Sequence, residues 1–160
     1  PRAIFHVENC IRKTLDVAEE CNFDTNRIIF EITESEDLPP VGVDHINTII
    51  NDYEDLGFAT AIDDFGAGFS RFNLLIHTLP EFLKLDMDII RDIDHSPRRQ
   101  VIVKGLLYIS HHLDIQVIAE GIETEVEYRW LLNEGVRLFQ GYLFAKPGFE
   151  CLPEPTFVED

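Results

Sequence analysis

Five short apolar, β-rich runs, each separated from the next by a stretch of helical spacing, constrain this chain more than any other feature. The runs are RIIFEITE at 27–34, FATAID at 58–63, EFLKLD at 81–86, IQVIA at 115–119 and RLF at 137–139. Between them apolar residues step by three or four, as one helix face requires. Ile4, Val7, Ile11, Leu15 and Ala18 predict a helix over 4–21, and Ile46, Ile49, Ile50, Tyr53 and Leu56 predict one over 41–56 that Gly57 ends. Ser96-Pro97 reads as a side-chain cap with proline at the first helical position, opening a helix to about residue 113. Thr124 with Glu127 forms a capping-box pattern for a helix through about residue 133, ended by Gly135. Strands alternating with helices imply a parallel sheet with right-handed crossovers, so the class is α/β. The run at 27–34, with its polar residues gathered at the end, reads as a buried strand feeding a loop.

The polar residues fall at the ends of these runs. Glu31 and Glu34 close the first, Asp63 and Asp64 the second, Lys84 and Asp86 the third, Glu120 and Glu123 the fourth, and Gln140 the fifth. Parallel strands present their C-terminal ends to one face, where α/β barrels assemble their sites, so the carboxylates are expected together. Crowded like charges in a water-poor cleft persist by holding protons or by binding cations. Oxygen ligands without paired Cys or His favour magnesium, manganese or calcium over zinc. One of Asp63 and Asp64 could bridge two ions about 3.5–4 Å apart, as in in-line phosphodiester hydrolysis. Lys84 could orient a metal-bound water or stabilise charge on a phosphoryl oxygen. Gly66 and Gly68 allow a flexible or left-handed loop beside the ligands, with which Phe65 or Phe69 could move.

Each feature also has an ordinary reading. A single strand-end carboxylate is commonly a helix cap or a solvated residue, and Asp and Gly favour turns by themselves. The coincidence over five strands argues for a site. The six histidines are scattered and take no role; Trp130 and the phenylalanines read as core, while Tyr142 and Phe144 could stack on a base.

Charge and length bound the partners. Thirteen basic against thirty acidic residues give a net −17, which argues against a nucleic-acid polymer or an anionic membrane surface as partner. Three widely spaced cysteines, Cys10, Cys21 and Cys151, suit a reducing compartment, and no apolar run approaches a membrane span, so a cytoplasmic location without membrane insertion is expected.

Read together, Glu31-Ile32-Thr33-Glu34, Asp63-Asp64-Phe65-Gly66, Lys84-Leu85-Asp86, Glu120-Gly121-Ile122-Glu123 and Gln140-Gly141-Tyr142 resemble the EAL-domain family of bacterial cyclic di-GMP phosphodiesterases, in order and in spacing. The resemblance runs from about residue 4 to 147. It implies a TIM-like (β/α) barrel that hydrolyses cyclic di-GMP to linear pGpG with two divalent cations, magnesium or manganese, calcium being an inhibitory or structural substitute. By similarity Glu31 would bind the first ion, Asp63 would bridge both, and Asp64 and Glu120 would serve the second. Lys84 would hold the attacking water, making Lys84, Glu120 and Asp63 the catalytic group. Gln140, Phe65 and Gly66 would contact substrate, and Glu34 would anchor the loop after Asp64.

Two departures qualify the resemblance. Phe69 stands where many members have tyrosine. The strand bearing the Glu-Ala-Leu signature and a strand with a metal-binding asparagine do not occur in these 160 residues, and Asn9, Asn22 and Asn26 do not fill that place. A barrel of eight strands takes about 250 residues, so residues 1–147 are expected to be the C-terminal two-thirds of the domain, with five of eight strands, and 148–160 an irregular tail. Three functions follow: a phosphodiesterase that needs the N-terminal strands, a catalytically degenerate module that binds cyclic di-GMP or a protein, and an interaction surface at the open sheet edge. A homodimer through the domain and a sensor domain in a longer parent protein are expected partners.

Overall fold

The computed structural model describes residues 7–32, 43–66 and 72–157. Its centre is a five-stranded parallel sheet of β1 (Ile29–Ile32), β2 (Ala59–Phe65), β3 (Phe82–Leu85), β4 (Gln116–Ala119) and β5 (Leu138–Phe139), hydrogen-bonded in the order 1-2-3-4-5. Around it run α1 (Val7–Glu20), α2 (Val43–Asp55), α3 (Phe72–His77), α4 (Met87–Ile90), α5 (Pro97–His112) and α6 (Glu125–Asn133). Strand order that follows chain order is the winding of a (β/α) barrel wall; a doubly wound sheet reverses direction part-way. All strands are parallel, so their C-terminal ends share one rim.

The core is built on the middle strands. Leu83 and Leu85 of β3 pack with Ile62, Phe65 and Ala119 from the neighbouring strands, and with Val103 and Leu106 of α5 and Leu131 of α6. Leu83, Lys84 and Leu85 are all buried although successive side chains point to opposite faces, so both faces of β3 are covered.

Several expectations are corrected. β1 is not a buried strand: it alternates exposed and half-buried residues, because β2 is its one partner among the described residues. Leu56 lies past the end of α2 and is exposed. Ser96 sits at the start of α5 but its side chain makes no capping hydrogen bond; Pro97 alone of the expected pair acts there. The capping box of α6 forms in full, with Thr124 accepting from the Glu127 N–H and Glu127 accepting from the Thr124 N–H. Four short elements escaped the periodicity: α3, α4 and the 3-10 turns over Thr25–Arg27 and Ile93–His95. Each is too short to display a period. After Pro147 the described chain has neither helix nor strand, only an isolated bridge between Gly148 and Cys151.

Candidate active site

Lys84 is the hub of the strand-end rim. Its ammonium lies 2.6 Å from Glu31 Oε1, 2.9 Å from Asp63 Oδ1 and 2.9 Å from Glu120 Oε1, joining β1, β2 and the end of β4 through β3. Strand register explains the convergence. Ile62 pairs with Leu83, which would bring Asp63 level with Lys84, but the next pairing is Phe65 with Leu85, so the β2 strand carries one extra residue there. That residue is Asp64, at φ 51°, and such a bulge bends the strand and re-aims the side chains beside it. The Asp64 N–H then donates to Asp63 Oδ1 at 2.9 Å, fixing the Asp63 carboxylate. Glu120 follows β4 directly, where its N–H donates to Leu85 O at 3.1 Å.

Burial and charge compete at this hub. Burial alone would lower the Lys84 pKa, but hydrogen bonds from its ammonium to Glu120, Glu31 and Asp63 outweigh that and hold it above the usual lysine range. Burial raises the Glu120 carboxyl; Lys84 opposes this incompletely, and the charges of Asp63 and Glu31 add to the rise. Three carboxylates around one ammonium leave an excess of negative charge, which is the electrostatic condition for a further cation.

The expected site residues take different places. Glu31, Asp63 and Glu120 meet on Lys84, and Asp64 adjoins Asp63 in the chain. Asp86 and Glu123 do not join them: Asp86 caps α4, accepting from the Asp88 N–H at 2.7 Å, and Glu123 pairs with Arg91 at 2.9 Å. Phe65 is corrected as a mobile or substrate-facing ring, since it is buried in the core with its edge on Phe72, ring centroids 5.2 Å apart. A ring of that size gains more from the core than from water. Gly66 is exposed at φ 115°, where an added Cβ would meet the Ile89 side chain at 2.8 Å, so glycine is required by both backbone and space. Gln140 is exposed, its N–H donating to Ala119 O and its carbonyl accepting from Ile122 N–H. Glu34, Gly68 and Phe69 lie outside the described residues.

As they stand, no three His, Cys, Asp or Glu side chains among the described residues are grouped to ligate one ion, because the Lys84 ammonium lies between the carboxylates. The donor set nevertheless fits hard divalent cations: it is all carboxylate oxygen, comes from three strand ends, converges on a cation and keeps surplus negative charge. An arrangement missed by reading motifs one at a time lies beside it, formed by Arg91, Glu123 and buried Glu127. The capping-box pattern had marked Glu127; Arg91, 36 positions earlier, carried no local signal.

Comparison with known proteins gives a consistent picture. The "Blue light- and temperature-regulated antirepressor BluF" of Escherichia coli is 33% identical over 99% of this chain, which spans 37% of that protein. "Cyclic di-GMP phosphodiesterase PdeR" of E. coli is 36% identical over 82% of the chain, which spans 20% of it. The chain thus spans between a fifth and two-fifths of these relatives. A standalone EAL protein from Vibrio cholerae O395, solved in a c-di-GMP bound form, superposes with a TM-score of 0.87 at 47% identity, over 93% of this chain and 62% of that one. Klebsiella pneumoniae BlrP1, solved as a calcium/cy-diGMP complex, gives a TM-score of 0.85 at 33% identity, over 97% of this chain and 39% of that one. The EAL domain family model matches residues 2–147, and on that match, the shared TIM-like fold and the motif-bearing rim, the chain belongs to the EAL domain family.

Proposed function

We propose that this chain supplies most of the active site of a metal-dependent phosphodiesterase that hydrolyses cyclic di-GMP to linear pGpG. The observation that carries this reading is the convergence of Glu31, Asp63 and Glu120 on Lys84. Supporting it are the names of relatives such as PdeR and the cyclic di-GMP bound in solved EAL structures.

In this reading Glu31, Asp63, Asp64 and Glu120 hold two magnesium or manganese ions. When bound, the ions neutralise the phosphodiester, lower the pKa of a water and stabilise charge that develops on the phosphoryl oxygens. The chain's own residues do the rest. Lys84, whose ammonium meets Glu31, Asp63 and Glu120 here, would turn one of those three donors to the attacking water and keep it oriented. Asp63 is held on the rim by the Asp64 N–H, which donates to its Oδ1. The water oxygen bonds to phosphorus as the P–O3′ bond breaks, and one water proton is released while the departing 3′ oxygen takes up one in its place, so that hydrolysis consumes one water and leaves a 5′-phosphate on pGpG. Gly66 and Gln140 line the substrate side. Residues 1–147 act as the C-terminal part of the domain in a larger cytoplasmic assembly, with a homodimer contact and a sensor domain.

A second reading has one observation in its favour: BluF, 33% identical across nearly the whole chain, is named an antirepressor. In that case the rim binds cyclic di-GMP or a protein without cleaving. Incubating the intact gene product with cyclic di-GMP and manganese, with and without chelator, separates the two: pGpG formed only with metal supports the enzyme, and saturable binding with no product supports the module.

A further inference from the structure

Glu127 is almost fully buried, yet it ionises more readily than an ordinary glutamate. Burial alone would raise its pKa; hydrogen bonds from the Asp92 backbone, the Thr124 side chain and the Glu123 and Thr124 backbones outweigh it. Its two carboxylate oxygens divide between two segments of chain. Oε1 accepts from the Asp92 N–H at 3.1 Å, just past α4 and eight residues beyond Lys84. Oε2 accepts from the Glu123 and Thr124 N–H groups at 3.3 and 3.1 Å, three and four residues beyond Glu120. A capping box requires the Oε2 bonds alone; the link to Asp92 is additional. Arg91 closes the arrangement, donating to Glu123 Oε1 at 2.9 Å and lying 3.7 Å from Glu127 Oε1. Asp92 holds φ 52°, a left-handed conformation that aspartate adopts in turns.

We propose that Glu127, with Arg91, is a positioning clamp that ties the segment after β3 to the segment after β4 and so sets the distance between Lys84 and Glu120. The proposal rests on the metal-dependent reading of the rim. Neither clamp residue touches the ions or the reacting phosphate; Glu127 acts through the backbone that carries Glu120. Groups of this kind behind metal ligands typically govern affinity by about 10- to 100-fold.

The test measures manganese binding by the paramagnetic signal of the free ion, beside kcat and KM for cyclic di-GMP, on the intact gene product. Glu127→Ala is expected to weaken manganese binding at least about tenfold and to lower kcat with KM little changed. Should Glu127→Ala fail to fold, Glu127→Gln, which retains one oxygen for the capping box, and Arg91→Ala, at a half-exposed position, carry the test with losses of several-fold. Because the two residues act as one unit, the double variant is expected to lose less than the two single losses combined. Folded variants with wild-type manganese affinity and wild-type kcat, lower only in melting temperature, overturn the clamp. Wild-type protein that binds manganese but never yields pGpG overturns the phosphodiesterase instead, and the manganese measurement still decides the clamp. Wild-type protein that binds no manganese overturns both.

Discussion

Lys84 is buried nearly as fully as the leucines that flank it, and it stays charged because three carboxylates face it. Removing one member of a buried ion cluster leaves the others uncompensated. Lys84→Met therefore removes both the orienting donor and the counter-charge; kcat is expected to fall by about 10²–10³, the scale of one lost transition-state donor, as steady-state product formation will read. At Glu127 the sign of the pH effect follows from its lowered pKa. A glutamate titrates near 4.3 when unfolded and lower here, so its stabilisation is present above the unfolded value and fades as pH falls through the folded one. Urea unfolding at a series of pH values should accordingly show wild type more stable than Glu127→Gln at pH 7, with the gap narrowing below about pH 4. A constant gap contradicts the assignment.

Among the elements, β3 ties rim to core, and truncation there separates the two. Leu83→Ala should cost about 2–5 kcal/mol in urea unfolding, the range for a buried leucine whose cavity cannot close. The turn after β5 is tight: a Cβ on Gly141 would clash with the Ile122 carbonyl oxygen, a backbone atom that cannot rotate away. Gly141→Ala is expected to separate β5 from the segment after β4, lowering thermal stability by several degrees and weakening metal binding at Glu120; unchanged melting and metal affinity contradict this. These elements differ in how plainly the sequence announces them. The strands are legible as short apolar runs, since the middle ones are covered on both faces, the long helices because burial of one face imposes a period, and the α6 capping box because its two residues are three apart. The bulge at Asp64 is not legible, since an extra residue in a strand leaves the composition unchanged and shows only in pairing register. The burial of Phe65 is hidden for the same reason: in the sequence it stands beside Gly66, while in the sheet it pairs with Leu85. The meeting of Glu31, Asp63 and Glu120 was inferred from parallel strand ends; that Asp86 and Glu123 serve α4 and Arg91 instead depends on a four-residue helix with no period to detect.

At the scale of the whole molecule, a net charge of −17 is partly a property of the site. A rim with surplus carboxylates approaches a phosphodiester only with cations between them. No helix among the described residues is long and apolar enough to cross a membrane. β1 and β5 are the edges of the sheet as described, and the relatives and the V. cholerae structure are longer than this chain. Supplying the intact gene product rather than these 160 residues alone is therefore expected to matter for turnover, and comparing both by product formation tests whether the five strands suffice. The most direct test of the metal-dependent site is chromatographic detection of pGpG from cyclic di-GMP by the intact gene product, with manganese, with manganese plus chelator, and with Asp63→Asn. The account predicts product in the first condition and none in the other two; product that persists under chelation, or tight binding with no product at saturating manganese, contradicts it.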